Sequence, residues 1–197
     1  AVGFAAISRG GDDEPTAVPP SASASATPVP VEHVMLMARE TPGDEFTVPV
    51  GKDVQLTPLA ASGSSGIIEV AGGAVGLYGG SLELGSCDRS QLVDYLDAHP
   101  NKAQAWADVQ GIDPSEIRSF VAGLTPLVLR ADTLVTNHGY FEGQATTFAS
   151  VLQAGTAVLV NDVGLPVVRC FCGNPLTAAP VLAAGAVYDG PAWKGFA

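Results

Sequence analysis

The chain contains three cysteines, Cys87, Cys170 and Cys172, and their chemistry depends on the compartment in which they lie. The two later cysteines are two positions apart in an apolar run that predicts a strand, so both side chains are expected on one face of it. In an oxidising compartment one of them can form a disulfide with Cys87, which lies just before the first predicted helix. We expect Cys87–Cys172, with Cys170 as the alternative partner. The chain-entropy model gives such a bond roughly 4–5 kcal/mol of stabilisation.

The third thiol leaves further uses open. It can be buried and inert, or it can pair with another chain. Together with His138, the three cysteines could also form a four-ligand zinc site. The Cys170-x-Cys172 spacing is one residue shorter than usual in zinc sites, and oxidation outside the cytoplasm competes with metal binding. We therefore expect no cofactor, and keep Cys87, His138, Cys170 and Cys172 as the possible ligand or metal set.

Nucleophilic catalysis would require a serine or cysteine beside a histidine, and a carboxylate to orient that histidine. His138 lies in a polar segment, 136–139, that predicts an exposed turn. The Gly-Ser-Ser-Gly segment at 63–66 is one residue too short for a nucleophile elbow, and the glycines of 72–80 lack the spacing of a phosphate-binding loop. The sequence therefore predicts no catalytic residues and no enzyme, with an envelope hydrolase as a minor alternative.

Three helices are predicted within residues 88–123, directly after the first cysteine. Each starts at a residue that can cap backbone N–H groups or occupy a first helical turn, and two stop at a glycine. We expect the carboxylates among these residues to cap helices and not to catalyse. The signals are, in chain order, Asp88 with Gln91, Pro100, Gly111, Asp113 with Glu116, and Gly123.

Short apolar runs separated by turn residues predict strands on both sides of the helices. Pro49 places one of them at a sheet edge, and Asn161 to Gly164 reads as a hairpin turn. We expect an α+β fold with about three short helices followed by an antiparallel sheet, curled as a small barrel or sandwich. The predicted strands are 34–37, 46–50, 67–70, 127–129, 134–136, 147–152, 157–160 and 167–170.

Acidic residues outnumber basic ones by 20 to 9 in the 197-residue chain, and the formal net charge is −11. Binding to nucleic acid or to an anionic membrane surface requires a basic face, so both are excluded as expected partners of the domain. The charge serves solubility or attracts basic partners.

The first 30 residues differ in composition from the rest. Residues 1–7 are apolar but too few to cross a bilayer, and they predict the end of an anchor or a mature N-terminus. Residues 8–30 predict a Pro/Ala/Ser linker that cannot form a core. Any membrane contact is expected only through an N-terminal anchor.

A globular extracytoplasmic domain is expected over residues 31–176. The remaining residues, 177–197, are rich in alanine, proline and glycine and predict a flexible tail. Trp193 and Phe196 in this tail could dock on the domain or on a partner.

Several short motifs, taken together, carry a family resemblance. They are Gly76-Leu77-Tyr78-Gly79-Gly80, Cys87-Asp88, His99-Pro100, Ala105-Trp106, Leu124-Thr125-Pro126, the stretches 135–139 and 150–160, and the closing Arg169-Cys170-Phe171-Cys172-Gly173-Asn174-Pro175-Leu176. Over roughly residues 36–176 the chain resembles an actinobacterial domain of unknown function, found in extracytoplasmic, membrane-anchored proteins and behind some serine/threonine kinase domains. The resemblance implies a location and an architecture but no activity, and this chain shows no kinase domain of its own.

These features predict a non-enzymatic extracytoplasmic binding or interaction domain, tethered to the membrane or cell envelope. Its expected partner is an envelope or membrane protein, or a cell-wall ligand. The alternative is an accessory subunit of a larger membrane protein complex. The sequence defines neither the ligand nor the oligomeric state.

Overall fold

The computed structural model describes residues 29–40, 44–55, 78–79 and 87–196. Over these ranges three α-helices and a mostly antiparallel sheet form the predicted α+β fold. The expected strand at 67–70, the segment 63–66 and most of 72–80 lie outside the described residues.

The three predicted helices are present, and their caps explain their bounds. The Asp88 carboxylate accepts the backbone N–H of Gln91 at 2.9 Å, and Gly111 ends the second helix with a φ of 68°. None of the helices in the described ranges has both the length and the apolar character needed to cross a membrane. The helices are α1 (Arg89–Ala98), α2 (Pro100–Gln110) and α3 (Ile117–Ala122), the last preceded by a 3-10 turn (Pro114–Glu116).

The strands, in chain order, are β1 (Val31–Met37), β2 (Tyr78–Gly79), β3 (Thr125–Leu129), β4 (Thr133–Asn137), β5 (Tyr140–Phe141), β6 (Gln144–Ala145), β7 (Phe148–Leu152), β8 (Ala157–Val160), β9 (Pro166–Arg169), β10 (Asn174–Thr177) and β11 (Leu182–Asp189). Nine of them form one sheet in the order β11-β1-β7-β4-β10-β9-β8-β3-β2, and β5 and β6 form a separate hairpin. β1 runs parallel to β7 and β11, and the other pairs are antiparallel. Among the strands of the described ranges the sheet ends at β11 and β2, so it is open and does not close as a barrel.

A bent ribbon explains the curl of the sheet. β3 pairs with β8 and β4 pairs with β7, so the ribbon bends at residues 130–132 in one chain segment and at 153–156 in the other. The pair β9–β10 joins β8 to β4 on either side of this bend. Both segments of the bend contribute a residue, Asp132 and Gln153, to the candidate site.

Two of the three apolar clusters among the described residues attach the helices and the C-terminal residues to the sheet. The first lies between the helices and β8–β9, where Trp106 is completely buried and donates its indole N–H to the carbonyl of Gly173 at 3.0 Å. The second packs Trp193 and Phe196 against β1 and β7. The helices are thus fixed to one part of the sheet and the C-terminal residues to another.

The predicted strand at 46–50 is wrong. Thr47 donates its N–H to the carbonyl of Cys172, and Val50 donates to that of Cys170, both at 2.9 Å, without a continuous ladder. Pro49 lies between them and has no N–H to donate, which interrupts strand pairing. The segment is instead an irregular loop, hydrogen-bonded at two points to the turn that contains Cys170 and Cys172.

The expectation of a flexible tail is also corrected. Residues 182–189 form β11, which pairs parallel with β1 at an edge of the sheet. Gly185, with a φ of 81°, lies where the pairing register shifts. Because the alanines and glycine of this strand weaken its apolar alternation, the sequence pattern gave little signal for it.

Candidate functional site

The disulfide joins Cys87 to Cys170 and leaves Cys172 as a free, buried thiol. The structure therefore selects the alternative partner over the preferred Cys172. The geometric premise fails because β9 ends at Arg169 and residues 170–173 form a turn, so the two cysteines do not occupy one strand face. Gly173 permits this turn with a φ of 64°. The bond fixes the start of α1 to the end of β9.

Cys172 lies beside a buried cation. Its sulfur is 3.9 Å from Nη1 of Arg169, and both residues have no exposed surface. Burial raises the pKa of the Cys172 thiol, and the charge of Arg169 opposes that effect only in part. At neutral pH the thiol is therefore protonated, which makes it a poor nucleophile and a poor metal ligand.

His138 is buried, contrary to the predicted exposed turn. Its exposed fraction is 9%, and its ring nitrogens lie 3.1 Å from the hydroxyls of Thr147 and Thr177. Burial lowers the pKa of His138, opposed by a hydrogen bond with the backbone of Thr146. The burial of His138 was not predictable from the sequence, because only the folded chain brings Thr147 and Thr177 next to its ring.

The four residues proposed as zinc ligands do not form one site. Cys87 and Cys170 are consumed in the disulfide, and His138 is held by threonine hydroxyls. In the part of the chain that the structure describes, no three His, Cys, Asp or Glu side chains are grouped to hold a metal ion.

An open cleft that sequence reasoning missed lies where five chain segments meet. These are the turn after β1, the segment 52–55, the two segments of the bend at 130–132 and 153–156, and residues 193–195 near the C-terminus. The cleft consists of two spaces of about 340 and 370 Å³ that share Arg39, Gln55 and Gln153. Because these side chains line both, we treat the spaces as one continuous cleft.

Arg39 is fixed on the floor of the cleft. Its Nη1 donates to the carbonyl of Ala154 at 2.9 Å, and its backbone N–H donates to Oε1 of Gln153 at 3.0 Å. Gly155 adopts a φ of 98°, and a side chain there would collide with the carbonyl of Val54 and with the Arg39 side chain. Glycine at 155 therefore lets Arg39 lie against the bend.

Two carboxylates next to the cleft are used by the fold itself. Asp53 accepts the N–H groups of Ala157 at 2.8 Å and Glu40 at 2.9 Å. Asp132 accepts the N–H of Ala154 at 2.8 Å and the indole N–H of Trp193 at 2.9 Å. Each oxygen of the two carboxylates therefore already accepts a hydrogen bond.

Other polar groups at the cleft remain available. Within the described residues, the side chains of Glu40 and Lys194 make no hydrogen bond or ion pair, and neither does Nε2 of Gln153 or Nη2 of Arg39. Trp193 is partly exposed, and its ring packs edge-to-face on Phe196 with centroids 5.1 Å apart. Convergent polar groups beside an aromatic wall are typical of ligand sites. In the sequence, Trp193 is a candidate docking aromatic and Gln153 lies in the resemblance motif 150–160, but no signal there brings these residues together.

The fold and cleft define a disulfide-linked α+β domain with an open sheet and a polar surface site. Residues 68–197 match the model of a family described as a domain of unknown function (DUF6777), and the chain belongs to that family. No curated protein and no solved structure matches it. The expectation of a domain of unknown function is thus confirmed over residues 68–197, whereas its start near residue 36, the actinobacterial origin, the closing motif and the kinase context stay predictions.

The family match divides the cleft. Asp132, Gln153 and Trp193 fall within residues 68–197, whereas Arg39 and Glu40 precede them. One wall of the candidate site therefore comes from the matched region, and the other comes from the preceding segment, which β1 fixes to β7.

Proposed function

We propose that this chain is a non-enzymatic extracytoplasmic binding domain, tethered to the membrane or cell envelope, whose ligand occupies the cleft at Arg39 and Gln153. The observation that carries the proposal is the division of roles among the polar groups. Asp53 and Asp132 accept hydrogen bonds from the cleft walls, whereas the side chains of Lys194 and Glu40 and the amide N–H groups of Gln153 have no partner among the described residues and are open to a ligand.

The location rests on the disulfide. A buried Cys87–Cys170 bond is expected where thiols oxidise, and rare where glutathione keeps them reduced. The Pro/Ala/Ser composition of residues 8–30 suits a tether that holds the domain away from an anchor.

The non-enzymatic assignment rests on the state of the reactive groups. Two cysteines are oxidised, the thiol of Cys172 is buried with a raised pKa, and His138 is held by two hydroxyls. No nucleophile among the described residues stands beside a histidine with an orienting carboxylate, which is the arrangement that acyl-transfer chemistry requires.

The experiment measures co-sedimentation of the oxidised full chain with isolated cell-wall material. We expect saturable binding, reduced about tenfold by the double variant Gln153→Glu/Lys194→Ala. Gln153→Glu keeps the oxygen that accepts from Arg39 but replaces the open amide N–H groups. Arg118→Ala is the control, because it removes one exposed positive charge on α3. Absence of binding, or equal binding by the double variant, would overturn the proposal.

A second candidate function, accessory subunit of a membrane complex, is favoured by a different surface. Met35 and Val187 share one face at the open edge of the sheet and are 41% and 52% exposed. An unpaired edge strand with apolar side chains can add a strand from a partner. Purification from native membranes with one stoichiometric partner, lost in Val187→Lys, would favour this function.

A further inference from the structure

The two ends of the cleft carry opposite charge. Lys194 lines only the space beside Trp193, and Glu40 lines only the other space, while Arg39 lies in both. The space beside Trp193 thus has two cationic side chains against Asp132, and the other has two carboxylates against Arg39. A ligand with one kind of charge would be attracted at one end and repelled at the other.

The hydrogen-bonding groups at the two ends of the cleft differ in the same direction as the charges. Among the described residues, the open side chain confined to the Trp193 end is the Lys194 ammonium, a donor, whereas Arg39, Gln55 and Gln153 line both spaces. The open side chain confined to the other end is the Glu40 carboxylate, an acceptor. Hydrogen bonding and charge therefore select the same orientation of a ligand.

Glu40 is held in an unusual backbone conformation at this rim. Its φ is 52°, and it is one of two non-glycine residues with positive φ in the described ranges. The hydrogen bond from its N–H to Asp53 stabilises this conformation. Such conformations cost free energy and cluster at functional sites, so the placement of Glu40 is consistent with a role in binding.

We propose that the ligand of the cleft is a short zwitterionic peptide, with its carboxylate at Lys194 and Arg39 and its ammonium group at Glu40. The indole ring of Trp193 contacts the aliphatic part next to the carboxylate, held in place by Asp132. This inference rests on the proposed function, because it names the ligand class of the same site. A neutral sugar would use neither charged end, and a purely acidic glycan would be repelled by Glu40 and Asp53.

The experiment is a thermodynamic cycle on the oxidised full chain with three probes: trialanine, N-acetyl-trialanine and trialanine amide. Each capped probe lacks one charge. Loss of one exposed ion pair corresponds to about a twofold to fivefold weaker affinity. We expect trialanine to bind most tightly in a calorimetric titration and each capped probe to bind more weakly by that factor.

The variants assign the two ends. Glu40→Gln should weaken binding of trialanine and of its amide, without affecting N-acetyl-trialanine. Lys194→Met should weaken binding of trialanine and of N-acetyl-trialanine, without affecting the amide. Arg118→Ala should change none of them. This crossed pattern is a readout that general destabilisation cannot produce.

Three outcomes would overturn the inference: equal binding of all three probes, tighter binding of the neutral disaccharide chitobiose than of trialanine, or no peptide binding. If the wall material still binds and depends on Gln153 and Lys194, the peptide assignment fails while the proposed function stands. If neither wall material nor peptide binds, both fail.

Discussion

Asp132 and Trp193 are joined by a hydrogen bond of 2.9 Å across 61 positions of sequence, from the indole N–H to Oδ2 of the carboxylate. The other oxygen of the same carboxylate accepts the N–H of Ala154 at 2.8 Å. One side chain thus contacts both the C-terminal aromatic wall and the bend at 153–156, against which Arg39 lies.

Asp132→Asn tests this relationship. Asparagine offers one acceptor oxygen where the aspartate offers two, so either Trp193 or Ala154 faces an N–H donor. We expect about 1–2 kcal/mol less unfolding free energy and weaker ligand binding, measured by urea denaturation and calorimetry. Asp162→Asn makes the same charge change in the exposed turn after β8, and it should leave both quantities unchanged. Identical behaviour of the two variants would contradict the role of Asp132.

The Cys87–Cys170 disulfide predicts that reductant lowers the stability of the domain. Cys87 and Cys170 are separated by 83 positions, so reduction should lower the unfolding free energy by about 4–5 kcal/mol in the chain-entropy model. The measurement is chemical denaturation with and without reductant.

The cysteine pairing has its own control. Denatured without reductant, the chain should show one reactive thiol, and Cys172→Ala should show none. In the native state Cys172 should resist alkylation at pH 8, because it is buried and its pKa is raised. Loss of the disulfide in Cys172→Ala would show that the pairing is wrong.

The helices were predictable from sequence because their signals are local. Asp88, Gly111 and Asp113 cap helices through neighbours within a few residues, so the pattern contains the interaction. The same holds for the turn at 161–164, where Gly164 donates to the carbonyl of Asn161.

The cleft and the cysteine pairing were not predictable, because both depend on long-range contacts. Arg39 meets Ala154 across 115 positions, and Trp193 meets Asp132 only because β11 pairs with β1. The partner of Cys87 depended on where β9 ends, a boundary of one residue that apolar periodicity does not define.

His138 predicts a pH dependence of stability. Burial lowers its pKa in the folded state from the ordinary value of 6.5, so the unfolded chain binds the proton more readily. The contribution of neutral His138 to the free energy of unfolding is constant above pH 6.5, the ordinary pKa. It is lost as the pH falls from 6.5 towards the lower pKa of the folded state. His138→Gln should remove this part of the acid destabilisation in denaturation curves from pH 8 to pH 5. His33→Gln, at an exposed position, should retain it.

Gly155 predicts a steric effect at the cleft. Alanine there meets Val54 and Arg39 at a φ of 98°, so we expect a loss of about 3 kcal/mol and weaker ligand binding. At Gly143, with a φ of 86°, an added Cβ would meet no atom within 4 Å, so Gly143→Ala should cost only about 1–2 kcal/mol from backbone strain. Equal thermal and urea stability of the two variants would show that close packing at Gly155 is not important.

Binding at the cleft is tested most directly by the two indole N–H resonances in a proton–nitrogen correlation spectrum, assigned through Trp193→Phe. Trp106 is buried and bonded to Gly173, so it serves as an internal control. On titration with soluble cell-wall fragments, the Trp193 resonance should shift in a saturable way while that of Trp106 stays fixed. A Trp193 resonance that never moves, or two resonances that move together, would contradict a ligand site in this cleft.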